Sequence, residues 1–299
     1  MQILEGKSLA VDIQQRLRAR VEALPAAQRK PHLAAVFVGD NAASAAYIRN
    51  KIRACEAAGF LSTLVKLDAN TTQSELLAHI ERLNADSNID GFIVQLPLPA
   101  HIDEQAVTFA VSPTKDVDGF HPLNLGKMML GVDCFLPATP LGILTMLRHY
   151  GIQTEGKNCV VVGRSNIVGT PISLLLSRPN ASTGNATVTL AHSRTRNLDS
   201  LLQNADIVVA AIGKANFLRG EQLKKGCVVV DVGINSIADA STKTGSRLVG
   251  DVDFESASQV ASAITPVPGG VGQMTVAALL LNTWRAYCLH TGSDFEAVI

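Results

Sequence analysis

In the stretch SAAYIRNK, Tyr47 and Lys51 stand four residues apart, which puts both side chains on one face of a helix. A lysine amine can serve as a general acid or base once burial or a cationic ligand lowers its pKa, and a neighbouring ring gives a flat ligand a packing surface. The stretch alone leaves a second reading open, in which Tyr47 packs at a domain edge and Lys51 snorkels to water. Three other features favour chemistry. Gln95 interrupts the apolar run GFIVQLPLP, and a buried amide there must find partners at the strand end where parallel sheets place ligands. PTKDVDG supplies the carboxylates Asp116 and Asp118. TPVPGGVG, residues Thr265 to Gly272, is a proline- and glycine-rich loop that lets backbone approach a flat ligand closely.

A second group of residues suits a phosphate. In VVVGRSNIVGTPISLLL a buried-type strand runs into Gly163 and Gly169 and then a helix beginning near Pro171. Such a turn presents backbone N–H groups and a positive helix end to an anion, although the spacing is not G-x-G-x-x-G. The alternative is a tight turn that needs glycine for backbone reasons only. The following strand ends in His192, Ser193 and Arg194, with Arg164 nearby in the first turn and no acid to bond a ribose 2′-hydroxyl. That absence favours NADP; the competing reading leaves Arg194 and Arg196 on a solvated loop.

These residues sit on an alternating framework. From residue 33 onward, short apolar runs alternate with helical patterns, as in βαβ units with a largely parallel sheet. LAAVFVG, STLVKLD and GFIVQLPLP read as strands of a first α/β domain, with a helix opening near Asn41 and closing at Gly59 and a capping box at Thr72 and Glu75. The pattern breaks between PTKDVDGFHPLNLGK and LPATPLGIL, which places the domain junction there. NCVVVG, ATVTLAH, ADIVVAAIG and GCVVVDVG then form a second series, so rich in Val and Ile that both sheet faces should be covered. SRPNASTGNAT reads as a longer connection.

Composition narrows the class. The 299 residues carry 26 Lys+Arg against 26 Asp+Glu, which gives no electrostatic reason for a nucleic acid or an anionic membrane as partner. MQILEGKSLAVD has neither the apolar core of a signal peptide nor the character of a transit peptide, and TVAALLLNTWRAYCL is interrupted by Asn282 and Arg285, so a cytoplasmic chain is expected. The cysteines Cys55, Cys134, Cys159, Cys227 and Cys288 form no CxxC pair and read as small core residues. The histidines show no HExxH or HxH pattern, and no metal site is expected.

The set YIRNK, GFIVQLPLP, PTKDVDGFHPLN, GRSNIVGTP, DVGIN and TPVPGGVGQMT resembles the bifunctional methylenetetrahydrofolate dehydrogenase/methenyltetrahydrofolate cyclohydrolase family, in that family's order and over nearly the whole chain. With no formyl-ligase domain following in the sequence, the likeness is to the short bifunctional form. The resemblance implies two α/β domains with the active site in the cleft between them. Residues 1–138 would bind tetrahydrofolate derivatives, a Rossmann-type domain over 139–274 would bind NADP, and a C-terminal helix over 275–299 would return to the first domain. It implies homodimers paired through the nucleotide domains. It assigns Lys51, Gln95 and Tyr47 to catalysis and, with Leu96, Pro97, Asp118, Pro266, Gly269 and Gly270, to folate binding. Gly163, Arg164, Ser165 and Gly169 match the phosphate-binding turn, Ser193 and Arg194 lie where a 2′-phosphate is expected, and Ile234 matches the isoleucine beside the nicotinamide. The family commonly reads G-G-V-G-P-M-T, whereas this chain has Gln273 in place of the proline. Without the resemblance, the residues stop at an NADP-dependent oxidoreductase, with a carboxylate-substrate dehydrogenase or a silent binding protein as rivals.

Overall fold

The computed structural model describes residues 1–179, 182–242 and 245–295. Two compact units are present: Val11–Ala138 with the stretch from Val276 onward, and Met1–Ala10 with Thr139–Thr275. The chain begins with β1 (Gln2–Ile3) and α1 (Gly6–Glu22). It continues through β2 (His32–Val38), α2 (Ala42–Ala57), β3 (Leu61–Leu67), α3 (Gln73–Ala85), β4 (Gly91–Val94), α4 (Glu104–Ala110) and α5 (Pro122–Leu130). Strands β3, β2 and β4 lie side by side, all parallel, with β2 in the middle. Central β2 is apolar almost throughout, and Ala34, Val36 and Val38 pack with Phe92 against Leu76 and Ile80 of α3 and Val107 of α4.

Local signals set the element boundaries. Asn41 caps α2, its Oδ1 accepting the Ser44 N–H at 3.0 Å, and Gly59 beyond the helix end takes a positive φ of 76°. The capping box forms: Thr72 Oγ1 accepts the Glu75 N–H at 3.3 Å and the Glu75 carboxylate accepts the Thr72 N–H at 2.8 Å. The expected strand GFIVQLPLP is shorter than its apolar run, because β4 ends at Val94 and the two prolines have no N–H for a ladder.

The second half runs α6 (Ala138–His149), β5 (Asn158–Val162), α7 (Gly169–Ser177), β6 (Thr187–Ala191), α8 (Leu198–Gln203) and β7 (Ile207–Ala210). It then passes through β8 (Val228–Asp231), β9 (Asn235–Ala238), β10 (Ser246–Val249), α9 (Phe254–Ser258), β11 (Ala263–Ile264) and α10 (Val271–Thr291). Its six-stranded parallel sheet has the order β1-β11-β8-β7-β5-β6. The chain leaves β5 toward β6 on one side and returns to β7 on the other, so the order reverses beside β5, where doubly wound sheets bind ligands. Strands β5 and β7 are buried on both faces, as their valines require. Strands β9 and β10 form a separate antiparallel pair.

Two outcomes differ from the sequence reading. Residues 1–10, counted there with the first domain, join the second unit, because β1 pairs in parallel with β11. The C-terminal helix runs over Val271–Thr291 and not 275–299, and residues 296–299 lie outside the described residues. Asn180 and Ala181 of the SRPNASTGNAT connection also lie outside them. All five cysteines are buried with free thiols, as expected of core residues. No helix among the described residues is long and apolar enough to cross a membrane.

Asn282, which breaks the apolar run of α10, is buried there and donates to the carbonyls of Val117 at 2.8 Å and Leu136 at 2.9 Å. It fastens the helix to the backbone of the DVDG turn and to the segment that follows α5. Asn282→Ala leaves both carbonyls unpaired and should lower the unfolding free energy by roughly 2–4 kcal/mol, read from urea denaturation followed by circular dichroism.

Candidate active site

The first unit gathers Tyr47, Lys51, Gln95 and Asp118 at the carboxyl end of its sheet. Helix α2 buries more than the apolar stripe of Ile48 and Cys55: Ser44 and Lys51, on the adjacent stripe, are each only 6% exposed. Lys51 therefore does not snorkel. Its Nζ lies 5.1 Å from the centre of the Tyr47 ring and donates to Gln95 Oε1 at 3.3 Å. Gln95 directly follows β4; its backbone N–H extends the ladder to Val36 O at 2.9 Å, and its Nε2 donates to Leu96 O at 2.6 Å. Both ends of the amide are thus committed, and the oxygen is turned toward the lysine. Leu96 and Pro97 follow, joined by a cis peptide bond.

The two aspartates of PTKDVDG separate by environment. Asp116 is buried, and its carboxylate accepts the N–H groups of Gly119 and Phe120 at 3.1 Å each and of His121 at 2.8 Å, together with Asn124 Nδ2 at 2.8 Å. Those bonds build the turn into α5. Asp118, half-buried, receives no side-chain hydrogen bond among the described residues. Burial holds the Lys51 amine below the ordinary lysine range, with the Asp118 carboxylate acting in the opposite direction. Burial pushes the Asp118 carboxyl up, opposed by Lys51 and reinforced by Asp116.

The second unit carries the phosphate-type turn. Gly163 has a φ of 124°, and a Cβ there would lie 2.0 Å from Ala211 O on neighbouring β7's exit loop; a Cβ on Gly169 would lie 2.0 Å from Gly163 O. The chain passes this point only as glycine. Helix α7 begins at Gly169, two residues before the expected Pro171, which sits in the first turn where its missing N–H costs nothing. Ser165 Oγ accepts the N–H groups of Val168 at 3.2 Å and Gly169 at 3.3 Å, leaving its own O–H hydrogen to donate. Arg164, Ser193 and Arg194 are exposed beyond the ends of the adjacent strands β5 and β6, and no carboxylate stands at the end of β6. His192 and Thr195 close that turn, with the His192 N–H donating to Thr195 Oγ1 at 2.9 Å and the Thr195 N–H to His192 O at 2.8 Å.

Pro266, Gly269, Gly270 and Ile234 belong to this second unit and not to the group around Lys51. The loop is pinned at both ends. Thr265 Oγ1 accepts the Asp231 N–H at 2.7 Å, and Gly269 O accepts the N–H groups of Gly6 at 2.8 Å and Lys7 at 3.1 Å. Ile234 is 51% exposed with its Cδ1 beside Gly272. The sequence reading does not include Asp251, a fully buried carboxylate on the exit of β10; the only sequence signal is an acid set between Gly250 and an apolar residue. Among the described residues there is no His, Cys, Asp or Glu cluster suited to a metal.

Comparison with known proteins adds to this geometry. Residues 4–118 match the family described as tetrahydrofolate dehydrogenase/cyclohydrolase, catalytic domain, and residues 137–291 match tetrahydrofolate dehydrogenase/cyclohydrolase, NAD(P)-binding domain. The bifunctional protein FolD of Cytophaga hutchinsonii is 55% identical over 97% of this chain and 100% of its own length. That of Flavobacterium johnsoniae is 53% identical over 98% and 100%. Among solved structures, the Trypanosoma brucei methylenetetrahydrofolate dehydrogenase-cyclohydrolase, complexed with NADP cofactor and inhibitor, superposes with a TM-score of 0.92 at 38% identity, covering 97% of this chain and 98% of that one. The Campylobacter jejuni bifunctional enzyme gives a TM-score of 0.89 at 44% identity, over 96% and 98%.

The placement of Lys51 has a measurable consequence. In an NMR titration of lysine side chains its midpoint should fall below those of the exposed lysines, and Asp118→Asn, by removing the charge that raises it, should move it lower still. An ordinary midpoint contradicts burial as the dominant influence on the amine, and an upward shift in the variant contradicts the opposing role of Asp118.

Proposed function

The chain belongs to the tetrahydrofolate dehydrogenase/cyclohydrolase family, and from that premise we propose that it oxidises 5,10-methylenetetrahydrofolate with NADP and hydrolyses the resulting 5,10-methenyltetrahydrofolate to 10-formyltetrahydrofolate, a sequence of one-carbon metabolism. The observation that carries the reading is the buried Lys51 amine bonded to an uncharged amide, Gln95, with the carboxyl of Asp118 nearby. The region divides as the family does, with folate bound by the Lys51 unit and NADP by the Gly163 unit.

In the oxidation, hydride leaves the bridging carbon and the folate nitrogens stabilise the cation that forms, so the protein's task is positioning. Bound NADP supplies the hydride acceptor. The fit is supported by the glycine-only approach at Gly163 and Gly169, by the helix start beside Ser165, and by Arg164, Ser193 and Arg194 with no competing acid, which suits a 2′-phosphate. Ile234 offers an exposed apolar surface to the nicotinamide. Asp118 accepts from the pterin's amino and ring N–H groups, Tyr47 packs on the folate, and Leu96 and Pro97 complete its surroundings within this unit.

In the hydrolysis, water adds to the methenyl carbon and one folate nitrogen departs, with a net proton released. Lys51 moves that proton. Its lowered pKa favours exchange near neutrality, and the substrate's positive charge lowers it further. Gln95 holds the amine without the negative charge that would raise it. The reading includes a homodimer in the cytoplasm and no nucleic-acid partner, the latter in keeping with the balanced charge.

The test is a time course with 5,10-methylenetetrahydrofolate and NADP or NAD, resolving methenyl and formyl products without acid quenching. Formyl product should appear with NADP faster than methenyl hydrolyses spontaneously. Lys51→Met should reduce cyclohydrolysis by about a hundredfold or more while folate still binds; a fully active variant removes Lys51 from the mechanism. No turnover with either cofactor refutes the whole reading.

A further inference from the structure

Beneath the loops that leave the second sheet, two carboxylates interlock. Asp251, with no exposed surface, accepts the N–H groups of Ile212 at 2.6 Å and Gly213 at 2.8 Å on Oδ2, and on Oδ1 those of Lys214 at 2.9 Å and of the Asn235 amide at 2.9 Å. Asp231, 3% exposed at the end of β8, accepts the Gly233 N–H at 3.0 Å, the Asp251 N–H at 2.9 Å and the Val252 N–H at 2.9 Å. One carboxylate thus fixes the backbone that carries the other. The packing admits no side chain between them, since a Cβ on Gly233 would lie 2.2 Å from Asp251 Oδ1 and one on Gly250 would lie 1.8 Å from Asp231 Oδ2.

The loops held in this way are those assigned to the cofactor. Gly233 and Asn235 flank Ile234, and Ile212 follows Ala211, whose carbonyl abuts Gly163. Three successive N–H groups converging after β7 would make an anion nest. Here the protein's own Asp251 fills it, so the β5–α7 turn remains the place for phosphate.

We infer that Asp231 and Asp251 are positioning residues for the nicotinamide cofactor, setting the loops around Ile234 and Gly163 without touching the ligand. The inference rests on the dehydrogenase reading above and deepens it. It makes the two activities separable, because cyclohydrolysis of supplied 5,10-methenyltetrahydrofolate needs no NADP.

The experiment compares Asp251→Asn with the parent enzyme, and Asn235→Ala as a milder variant that withdraws a single donor. In Asp251→Asn an amide NH₂ faces backbone N–H groups, and the KM for NADP and the dissociation constant for NADPH should both rise about tenfold or more. The rate of cyclohydrolysis on supplied methenyl substrate should stay at the parent level, with a smaller rise in the KM for NADP in Asn235→Ala. An unchanged KM and NADPH affinity would overturn the inference. So would parallel loss of both activities, which would make the pair a general folding element. If Asp251→Asn does not fold, Asn235→Ala decides alone, by the same split. Failure of the parent enzyme to reduce NADP would instead refute the functional reading itself.

Discussion

The Lys51 amine is taken out of water at the end of a sheet and given an amide oxygen, not a carboxylate, as its hydrogen-bonded partner. A direct ion pair would stabilise the charged amine and keep it a poor base; an amide at 3.3 Å orients it and leaves the burial cost in force. Much of the first unit serves this arrangement. Asn41 starts α2 in the register that turns Lys51 inward, β4 stops one residue before Gln95, and the Leu96 carbonyl holds the amide so that its oxygen faces the lysine.

The buried aspartates divide in the same terms. Asp116, Asp231 and Asp251 each accept several backbone N–H groups, the strongest local compensation available to a carboxylate without a cation. They shape turns. Even so, burial pushes Asp231 up to about 6, aided by the charge of Asp251 and opposed by the N–H bonds from Val252, Asp251 and Gly233. Asp118, half-buried, accepts no such bond among the described residues. The three saturated carboxylates are also the more deeply buried, so hydrogen bonding and burial change together.

What could be read from sequence follows from locality. The α2 cap at Asn41, the Thr72–Glu75 box and the valine strands depend on neighbours within a few residues, and the structure has them all. The Lys51–Gln95 bond spans 44 residues; an amide in an apolar strand end demands a partner, but the family resemblance was needed to bring Lys51 to it. The placement of β1 beside β11 was not legible: two residues carry no periodicity, and their partner lies at the far end of the chain. Spacing alone does not separate the roles of Asp116 and Asp118, which sit in the same turn; the family resemblance singled out Asp118, and the donors around Asp116 give that carboxylate a structural role. Asp251 escaped because its partners come from three separate loops.

Gln273 illustrates how a local departure can be absorbed. It lies in the first turn of α10, where N–H groups have no intrahelical partner and proline is tolerated for its preset φ. With glutamine the N–H is present, and it donates to Gly270 O at 3.1 Å, a bond proline cannot make. That carbonyl directly follows Gly269, whose own carbonyl ties the loop to Gly6 and Lys7. The side chain is exposed, so it displaces nothing in the core. Glutamine therefore gives up the conformational restriction of proline at the helix start and gains a hydrogen bond that restrains the same loop.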